Sequence, residues 1–468
     1  MSKRLIASGR VQSIRTAGSK LVFMDLKDGQ GNTIQVVSQY GKLEANGVSR
    51  DRFRSYMKTA RKGDWYTVTG HAHRTARGEP SIMAVQLPQL VSPSLHQIPV
   101  KLDDPETRAR HPHVDMLVNQ ETVQTLRLRH FVERHLAGSL EDDDFIHIRT
   151  PILTAGAGGA VARPFETEAT ELLGQKLTLR IAPELWLKRL VVGGLDRVYE
   201  IGPAFRNEGV DATHNPEFTI CEFYQAFATL DDLMDRTQHM LRALQKELQR
   251  RKMEQGEFSA LSLPTDVSFE APFPVLDFIP TIERELDRSL PDLSAPDAQE
   301  KLVEIFGEKN LALPAKPTLP RLLDALAGHC LEPLCQAPTF ITNHPACLSP
   351  LSKHFVCTAT GQIVAARAEL FIKGREYANM YEEENSPFEQ RRKLTEQLKF
   401  RELDGESDGC VDVDESYLEC LEWGLPPTGG WGCGVDRLVM LFSGRERMND
   451  VLAFGSLRNV VGLGRGRG

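Results

Sequence analysis

No stretch of this 468-residue chain approaches the roughly 20 consecutive apolar residues that a membrane-spanning helix needs, so no membrane partner is expected. The eight cysteines, Cys221, Cys330, Cys335, Cys347, Cys357, Cys410, Cys420 and Cys433, form no C-x-x-C pair and no Cys/His grouping at zinc spacing. They read as reduced thiols of an intracellular protein. A G-x-x-x-x-G-K-[ST] run is missing, and Gly156-Ala157-Gly158-Gly159-Ala160 is not a G-x-G-x-x-G opening a helix. Neither P-loop nor Rossmann nucleotide binding is therefore supported; such small residues instead permit close approach of a ligand to the backbone. No internal repeat stands out, and a foldable pattern starts at once, so no signal or transit peptide is expected in the chain as given.

What is present is a soluble-type composition, 41% hydrophobic and 26% charged, in a chain long enough for two domains or one with an insertion. The net charge of −8 is unevenly spread: residues 1–80 hold fifteen Lys/Arg against six Asp/Glu, a balance of +9. A basic first module on an acidic body points to local polyanion binding, although a solvated basic face is the commoner meaning of such a run. Short strand-like runs at Leu5–Val11, Leu21–Leu26, Thr33–Val37 and Trp65–Gly70, with a helix-compatible interruption at Val48–Lys62, predict a small barrel in the order of an OB-fold. Phe23 and Gln35, with Arg15 nearby, suit base stacking and edge recognition; taken alone, Phe23 is more readily a core residue.

Residues 99–115, with Pro99, Pro105 and Pro112 among charges, read as a linker. An amphipathic helix follows from about Asn119 to Ser139, then a short strand at Phe145–Arg149 before Pro151. Residues 227–255 read as helical. The proline-punctuated stretch of about 256–338 reads as a helical insertion without chemistry, and the Gly/Arg tail 462–468 as disordered.

The densest mixture of charged and apolar residues lies at 180–224, RIAPELWLKRLVVGGLDRVYEIGPAFRNEGVDATHNPEFTICEFY. Two strand-like runs, Val198–Ile201 and Glu217–Tyr224, flank a polar loop holding Arg206, Glu208 and His214. Such a hairpin presents its polar side chains beside one sheet, as nucleotide phosphates and a base require. A second cluster, AELFIKGREYANMYEE at 368–383, sets Asn379, Tyr381 and Glu383 at i, i+2, i+4 on one strand face. Glu376 has the opposite parity, so a bulge or the turn must bring it to the same pocket, while Glu382 and Glu384 are expected to be solvated.

Along nearly its whole length the chain resembles a class II lysyl-tRNA synthetase. The resemblance rests on RIAPEL, RVYEIG, FRNEG, HNPEF and EFY for the second signature motif, and on residues 119–151 ending in Pro151 for the first, the family's dimerisation element. LPPTGGWGCGVDRLVMLF at 425–442 matches the third, and NHPACLSPLSK at 343–353 and Thr428 favour the lysine enzymes. The class I signatures HIGH and KMSKS are absent. The resemblance implies an α+β chain with an OB-fold anticodon-binding domain at 1–98 and a class II antiparallel-sheet catalytic domain at 116–461. Its implied activity is ATP-dependent formation of lysyl-adenylate with Mg²⁺ and transfer to the 3′ end of tRNA(Lys), in a homodimer.

Residue by residue, the resemblance implies that Arg206 touches both the amino-acid carboxylate and the α-phosphate, as a guanidinium can bridge two oxyanions. Glu208, His214, Asn215, Phe218 and Arg437 would serve ATP, with Arg206 and Arg437 catalytic. Gly159 and Glu184 would hold the α-amino group, and Glu222, Tyr224, Asn379, Tyr381 and Glu383 would receive the lysine side chain. Glu369 and Glu376, hard oxygen donors, would hold Mg²⁺. Arg15, Phe23, Gln35 and Glu79 would read the anticodon. Two departures, Trp431 with Cys433 in the third motif and the lack of Phe-Pro in Ala453–Val461, make the chain similar to fungal organellar forms, hence an expected mitochondrial matrix location, with the cytoplasm as alternative. The rivals are a sister enzyme for Asp or Asn, disfavoured by Glu383, a non-catalytic nucleic-acid-binding relative, and a ligase that lysylates protein.

Overall fold

Alternation of apolar and polar residues closes the first segment into a barrel. In the computed structural model, which describes residues 4–29, 31–155, 162–270, 272–403 and 413–464, the chain divides into two compact units, Met1–Asn119 and Gln120–Gly468. The first unit has strands β1 (Arg4–Thr16), β2 (Leu21–Lys27), β3 (Thr33–Gln39), β4 (Trp65–Arg74), β5 (Pro80–Ala84) and β6 (Gln89–Ser92). Their order is β1-β2-β3-β5-β4-β6, and β1 also pairs with β4, which closes the sheet. Val22, Met24 and Leu26 of β2 enter the core, and the period of two sends Phe23 and Asp25 to the outer face. Gly70 is needed where β4 crosses β5: a Cβ there would lie 2.3 Å from the Met83 carbonyl oxygen.

Between β3 and β4 lie helices α1 (Tyr40–Glu44) and α2 (Arg50–Thr59), the second started by the Ser49 side chain accepting from the Arg52 amide. Part of the expected linker is helical, α3 (Pro105–Arg110) and α4 (Pro112–Val118), each with proline in its first turn, where the missing N–H costs nothing.

The second unit is built on an eight-stranded sheet. In chain order its strands are β7 (Ile146–His147), β8 (Arg197–Phe205), β9 (Glu217–Ala226), β10 (Val275–Asp277), β11 (Thr339–Thr342), β12 (Arg367–Ile372), β13 (Arg375–Glu382) and β14 (Thr428–Gly434). The spatial order is β10-β11-β12-β13-β14-β9-β8-β7. All neighbours are antiparallel except β7 with β8 and β10 with β11, so a parallel strand terminates each edge.

Helix α5 (Gln120–Glu141) buries Leu128, Val132, Leu136 and Leu140 at a four-residue spacing. These share a core with α7 (Leu230–Gln255) and α13 (Val435–Ser443). A capping box of Thr229 and Asp232 opens α7, and Gly256 in the left-handed region closes it. The expected insertion contains α8 (Phe278–Leu286), α9 (Ala298–Glu308) and α10 (Leu319–Cys330) around a core of their own. It also supplies β10, a strand too short for its pattern to show in the sequence. Helices α6 (Glu184–Val192), α11 (Pro387–Leu403), α12 (Glu415–Glu422) and α14 (Leu457–Gly464) also belong to the unit, with a small three-stranded and a two-stranded sheet. Gly462–Gly464 of the expected disordered tail belong to α14, and 465–468 lie outside the described residues. No helix among the described residues is long and apolar enough to cross a membrane.

Two buried ion-pair networks fix the sheet to its surroundings. Arg180 donates to Glu200 at 2.7 Å and to the Thr150 hydroxyl at 2.8 Å, which ties the RIAPEL segment to β8. Arg129 of α5 pairs with Asp436 of α13 and donates to the Thr219 hydroxyl at 2.7 Å, while Asp436 accepts from the Thr219 amide at 2.7 Å. The arginine of RIAPEL and the aspartate of GVDR are thus consumed by architecture.

Candidate active site

The sheet opens into a cavity of about 550 Å³ because of the pattern T-G-G-W-G-C-G in β14. Successive side chains of a strand point to opposite faces, so Gly430, Gly432 and Gly434 leave one face bare while Trp431 and Cys433 fill the core on the other. Trp431 is anchored there by its indole N–H donating to the Thr237 hydroxyl at 2.8 Å. The neighbouring strands extend the bare glycines into two rows. One runs Glu222, Gly432, Asn379, Glu369 and the other Tyr224, Gly430, Tyr381, Arg367, in register across β9, β14, β13 and β12. Every one of these residues lines the cavity.

At one end of the cavity the charge is negative and dry. Glu184, Glu222 and Glu383 are 3%, 5% and 0% exposed, and Lys188, one turn after Glu184 on α6, is 0% exposed. The Lys188 ammonium lies 2.5 Å from Glu184 Oε1 and also pairs with Glu383. Its other neighbours are the rings of Tyr224 and Tyr417, with centroids 5.8 and 5.9 Å away. Glu222 has a weaker partner, the Tyr224 hydroxyl donating to Oε2 at 3.3 Å. Burial and the adjacent Glu184 carboxylate accordingly push Glu222 up to about 8, the mark of a carboxylate lacking a full counter-charge. Glu383 is raised too, by burial first, against the pull of Lys188. It is not part of the cavity lining; its Oε1 lies over the face of Gly430 that lacks a side chain, 2.0 Å from where a Cβ would stand.

The other end is rich in cations. Arg206 leaves β8 with its amide bonded to the Pro216 carbonyl at 2.8 Å, and its guanidinium sits 5.1 Å from the centre of the Phe218 ring. Its Nε is buried without a hydrogen-bond partner. Arg437 donates to the Glu376 carbonyl at 2.8 Å and faces His214 Nε2 at 3.1 Å. Because a guanidinium only donates, Nε2 accepts, and the His214 proton sits on Nδ1 toward Asp211, 2.9 Å away. Glu208, His214, Asn215, Phe218 and Arg437 all line the cavity. Asn215 is already engaged at both ends, donating to the Glu217 carbonyl at 2.6 Å and accepting from the Leu457 amide at 3.1 Å.

Glu369 and Glu376 reach the same cavity through a β-bulge. Leu370 pairs with Ala378 but Phe371 pairs with Glu376, so Tyr377 is the extra residue that reverses parity. Burial would raise Glu369, but Arg367 and His344, the latter at 3.0 Å, outweigh it and hold the carboxyl at about 2. Glu376 is raised, first by burial and next by the Glu369 charge. A pair of hard oxygen donors of which one repels the other is a fit for a divalent cation. Among the described residues no group of three or more His, Cys, Asp or Glu is arranged as a metal site, so any such ion would take its remaining ligands elsewhere.

Two expectations need correction or location. Glu384 is not solvated: it is buried in an ion pair with the buried Lys393 of α11, while Glu382 is half-buried and accepts from the Leu230 amide at the start of α7. The strand ends at Glu382, so face alternation no longer applies beyond it. Gly159 lies outside the described residues. Sequence reasoning missed Lys188 and Arg367. Lys188 carried a signal, being four residues after Glu184 on an otherwise apolar helix face. Arg367 organises the rim through Asn379, the Leu348 carbonyl and Ser349, each at 3.0 Å.

In the barrel, Arg15 stands directly across from Phe23, and Asp25 from Gln35. Phe23 is half-buried on this outer face and takes no part in the core. The face also holds Asp25, which pairs with Arg15 at 3.2 Å, and Ser81, which donates to Gln35 at 3.2 Å. Glu79 is exposed at the turn before β5. The seven described cysteines are free.

Residues 104–458 match the family model of class II tRNA synthetases (D, K and N). The chain belongs to this family. As a class II synthetase it is an aminoacyl-tRNA synthetase, and residues 6–88 match the OB-fold nucleic acid binding domain, so the barrel is an OB-fold and the mixed-sheet unit is the synthetase domain, α+β overall. The chain is similar over nearly its whole length to proteins named lysine–tRNA ligase. Identity is 40% over 461 residues with the mitochondrial enzyme of Schizosaccharomyces pombe, covering 98% of this chain and 85% of that one. It is 36% over 465 residues with a probable cytoplasmic enzyme of Encephalitozoon cuniculi, covering 97% and 87%. With the enzyme of the bacterium Dehalococcoides mccartyi it is 36% over 455 residues, covering 97% and 87%.

Proposed function

We propose that this synthetase is a lysine–tRNA ligase, which activates lysine with ATP to lysyl-adenylate and transfers it to the 3′ end of tRNA(Lys). The observation that carries the reading is the charge of the closed end of the cavity. Three buried carboxylates, Glu184, Glu222 and Glu383, face a single buried ammonium. A buried carboxylate without a counter-ion is costly, and a cationic amino acid supplies what is missing. An aspartate side chain would meet like charge, and an asparagine amide would leave the acids unneutralised.

At the other end, Arg206 serves as the bridge between the amino-acid carboxylate and the α-phosphate. The incoming carboxylate and the phosphorus electrophile are both surrounded by anionic oxygen, so attack requires a fixed positive charge that strengthens as charge builds up on the phosphoryl oxygens. The orphan Nε of Arg206 is a donor ready for that use. Glu208 accepts from the adenine amino group, Phe218 and the Arg437 guanidinium cover the base, and His214 with Arg437 meets the distal phosphates. Asn379 and Tyr381 line the path of the lysine side chain toward Glu222, Tyr224 and Glu383, and the backbone near Gly159 with Glu184 receives the α-amino group. Glu369 and Glu376 would hold Mg²⁺, which when bound neutralises triphosphate oxygens and stabilises departing pyrophosphate.

The outer face of the OB-fold, with Phe23 as stacking platform and Arg15, Gln35 and Glu79 at base edges, reads the anticodon. The exposed Ile146, Ile152 and Leu153 beside the edge strand β7 support a homodimer built on this margin of the sheet. Similarity to fungal mitochondrial enzymes supports a mitochondrial matrix location, with the cytoplasm as the alternative. Charging assays with a tRNA(Lys) transcript and radiolabelled lysine test the reading: acid-precipitable lysyl-tRNA is expected, and incorporation of aspartate or asparagine in its place would refute it.

A further inference from the structure

We propose that Lys188 is a positioning residue for substrate selection, an internal counter-cation that lowers the charge deficit of the pocket to the two positive charges a lysine carries. The inference rests on the lysine reading above. At the closed end, three carboxylates and one ammonium leave two negative charges, and lysine brings an α-ammonium and an ε-ammonium; its carboxylate is met by Arg206. Without Lys188 the pocket would hold one negative charge too many, and a proton would have to fill the place.

The geometry makes Lys188 a fixed part of the pocket. It is fully buried, absent from the cavity lining, and held between Glu184 of its own helix and Glu383 beyond β13. Tyr417 of α12 and Tyr224 of β9 close over it; among the described residues Glu222 of β9 and Tyr381 of β13 also face it, and Glu222 in turn feels the Arg206 charge from the other end of the cavity. Its ammonium engages one oxygen each of Glu184 and Glu383. Glu383 Oε1 stays without a hydrogen bond, and Glu222 keeps only a tyrosine hydroxyl. The acceptor open to the cavity is therefore Glu222, which a ligand ammonium can take, and burial pushing it up to about 8 agrees that this carboxylate awaits a cation.

Lysine capture needs ionised carboxylates, so kcat/KM for lysine rises with pH as the pocket deprotonates. Removing the Lys188 charge raises the pKa of its neighbours and moves that limb to higher pH. Lysine-dependent pyrophosphate exchange over pH 6 to 9 is measured for wild type, Lys188→Arg, Lys188→Met and the double variant Lys188→Met/Glu383→Gln. We expect Lys188→Met to shift the limb by about one unit or more, about ten-fold in kcat/KM at pH 7. Lys188→Arg should leave the limb in place, and the double variant, whose charge balance equals wild type, should bring it back. A folded Lys188→Met enzyme that loses activity with an unmoved limb would reduce Lys188 to packing and overturn the proposal.

A measurement on wild type covers the case where the variants do not fold. Calorimetric titration with lysine at pH 7, in buffers of different ionisation enthalpy, should show release of about one to two protons, from Glu222 and Glu383, whose carboxyls burial raises alike. Release of three, one from each carboxyl, would mean that Lys188 keeps none of them ionised, and would overturn the proposal. Absence of lysine binding with binding of aspartate or asparagine would instead defeat the lysine reading and the inference with it.

Discussion

Replacement of Glu222 by glutamine isolates the charge that the pocket is built to receive. The substitution keeps shape and the contact with the Tyr224 hydroxyl, 3.3 Å away, but removes the negative charge. A buried hydrogen bond between charged groups contributes about 3 kcal/mol at the upper end of the usual range. In the free enzyme Glu222 titrates at about 8, so at pH 7 ionising it costs about 1.4 kcal/mol. The net loss at pH 7 is then about 1.6 kcal/mol, or about 15-fold in kcat/KM for lysine, and near pH 9 it approaches the full 3 kcal/mol, more than 100-fold. Pyrophosphate exchange at saturating ATP, with the ratio of wild type to variant taken at each pH, provides the assay, because titration of lysine itself cancels in the ratio. A ratio that stays flat from pH 6 to 9 would refute the assignment of Glu222 as the proton-linked acceptor.

The same group has an opposite effect on stability. Its folded pKa lies above the unfolded value of 4.5, so it favours the folded state below that pH and loses this contribution as pH rises toward 8; Glu222→Gln should raise the Tm of the free enzyme at pH 8 relative to wild type, with little difference at pH 4.5. Arg206→Ala should lower the activation rate by about 10² to 10³, the cost of losing a donor to a developing oxyanion, whereas Glu383→Gln should act mainly on lysine selection; single-turnover adenylate formation against competing amino acids separates the two. Gly430→Ala forces a Cβ onto Glu383 Oε1 and the Tyr224 ring, and should weaken lysine binding by about 1 to 3 kcal/mol, read as KM. Phe23→Ala should raise the KM for tRNA by about 1 to 3 kcal/mol and leave pyrophosphate exchange unchanged, and a loss of exchange would count against its place on the anticodon face.

How much of this was legible in the sequence depends on whether a feature is local. The OB-fold strands and the helix at 227–255 follow from periodicity and from side chains a few residues apart. That a bulge or the turn must bring Glu376 to the pocket followed from parity alone, and the structure has the bulge, at Tyr377. Features made by distant segments were not readable. Nothing near Lys188 announces Glu383, almost two hundred residues later, and Glu384 was misjudged because its partner Lys393 lies on a different element. Parity arguments also fail where a strand ends, as at Glu382. β10 was hidden for a further reason: three residues are too few for a period to be seen, and its pairing with β11 exists only once the insertion has folded back. The glycines of β14 were recognised as a motif, but their role as the bare floor of a pocket required the registers of the strands on either side.

On the proposed function, this cavity selects a cationic amino acid for adenylation. Exchange of labelled pyrophosphate into ATP, run in parallel with lysine, aspartate and asparagine on the full chain with Mg²⁺, tests it most directly. Exchange is expected with lysine alone; exchange with aspartate or asparagine and none with lysine would refute selection of a cationic side chain.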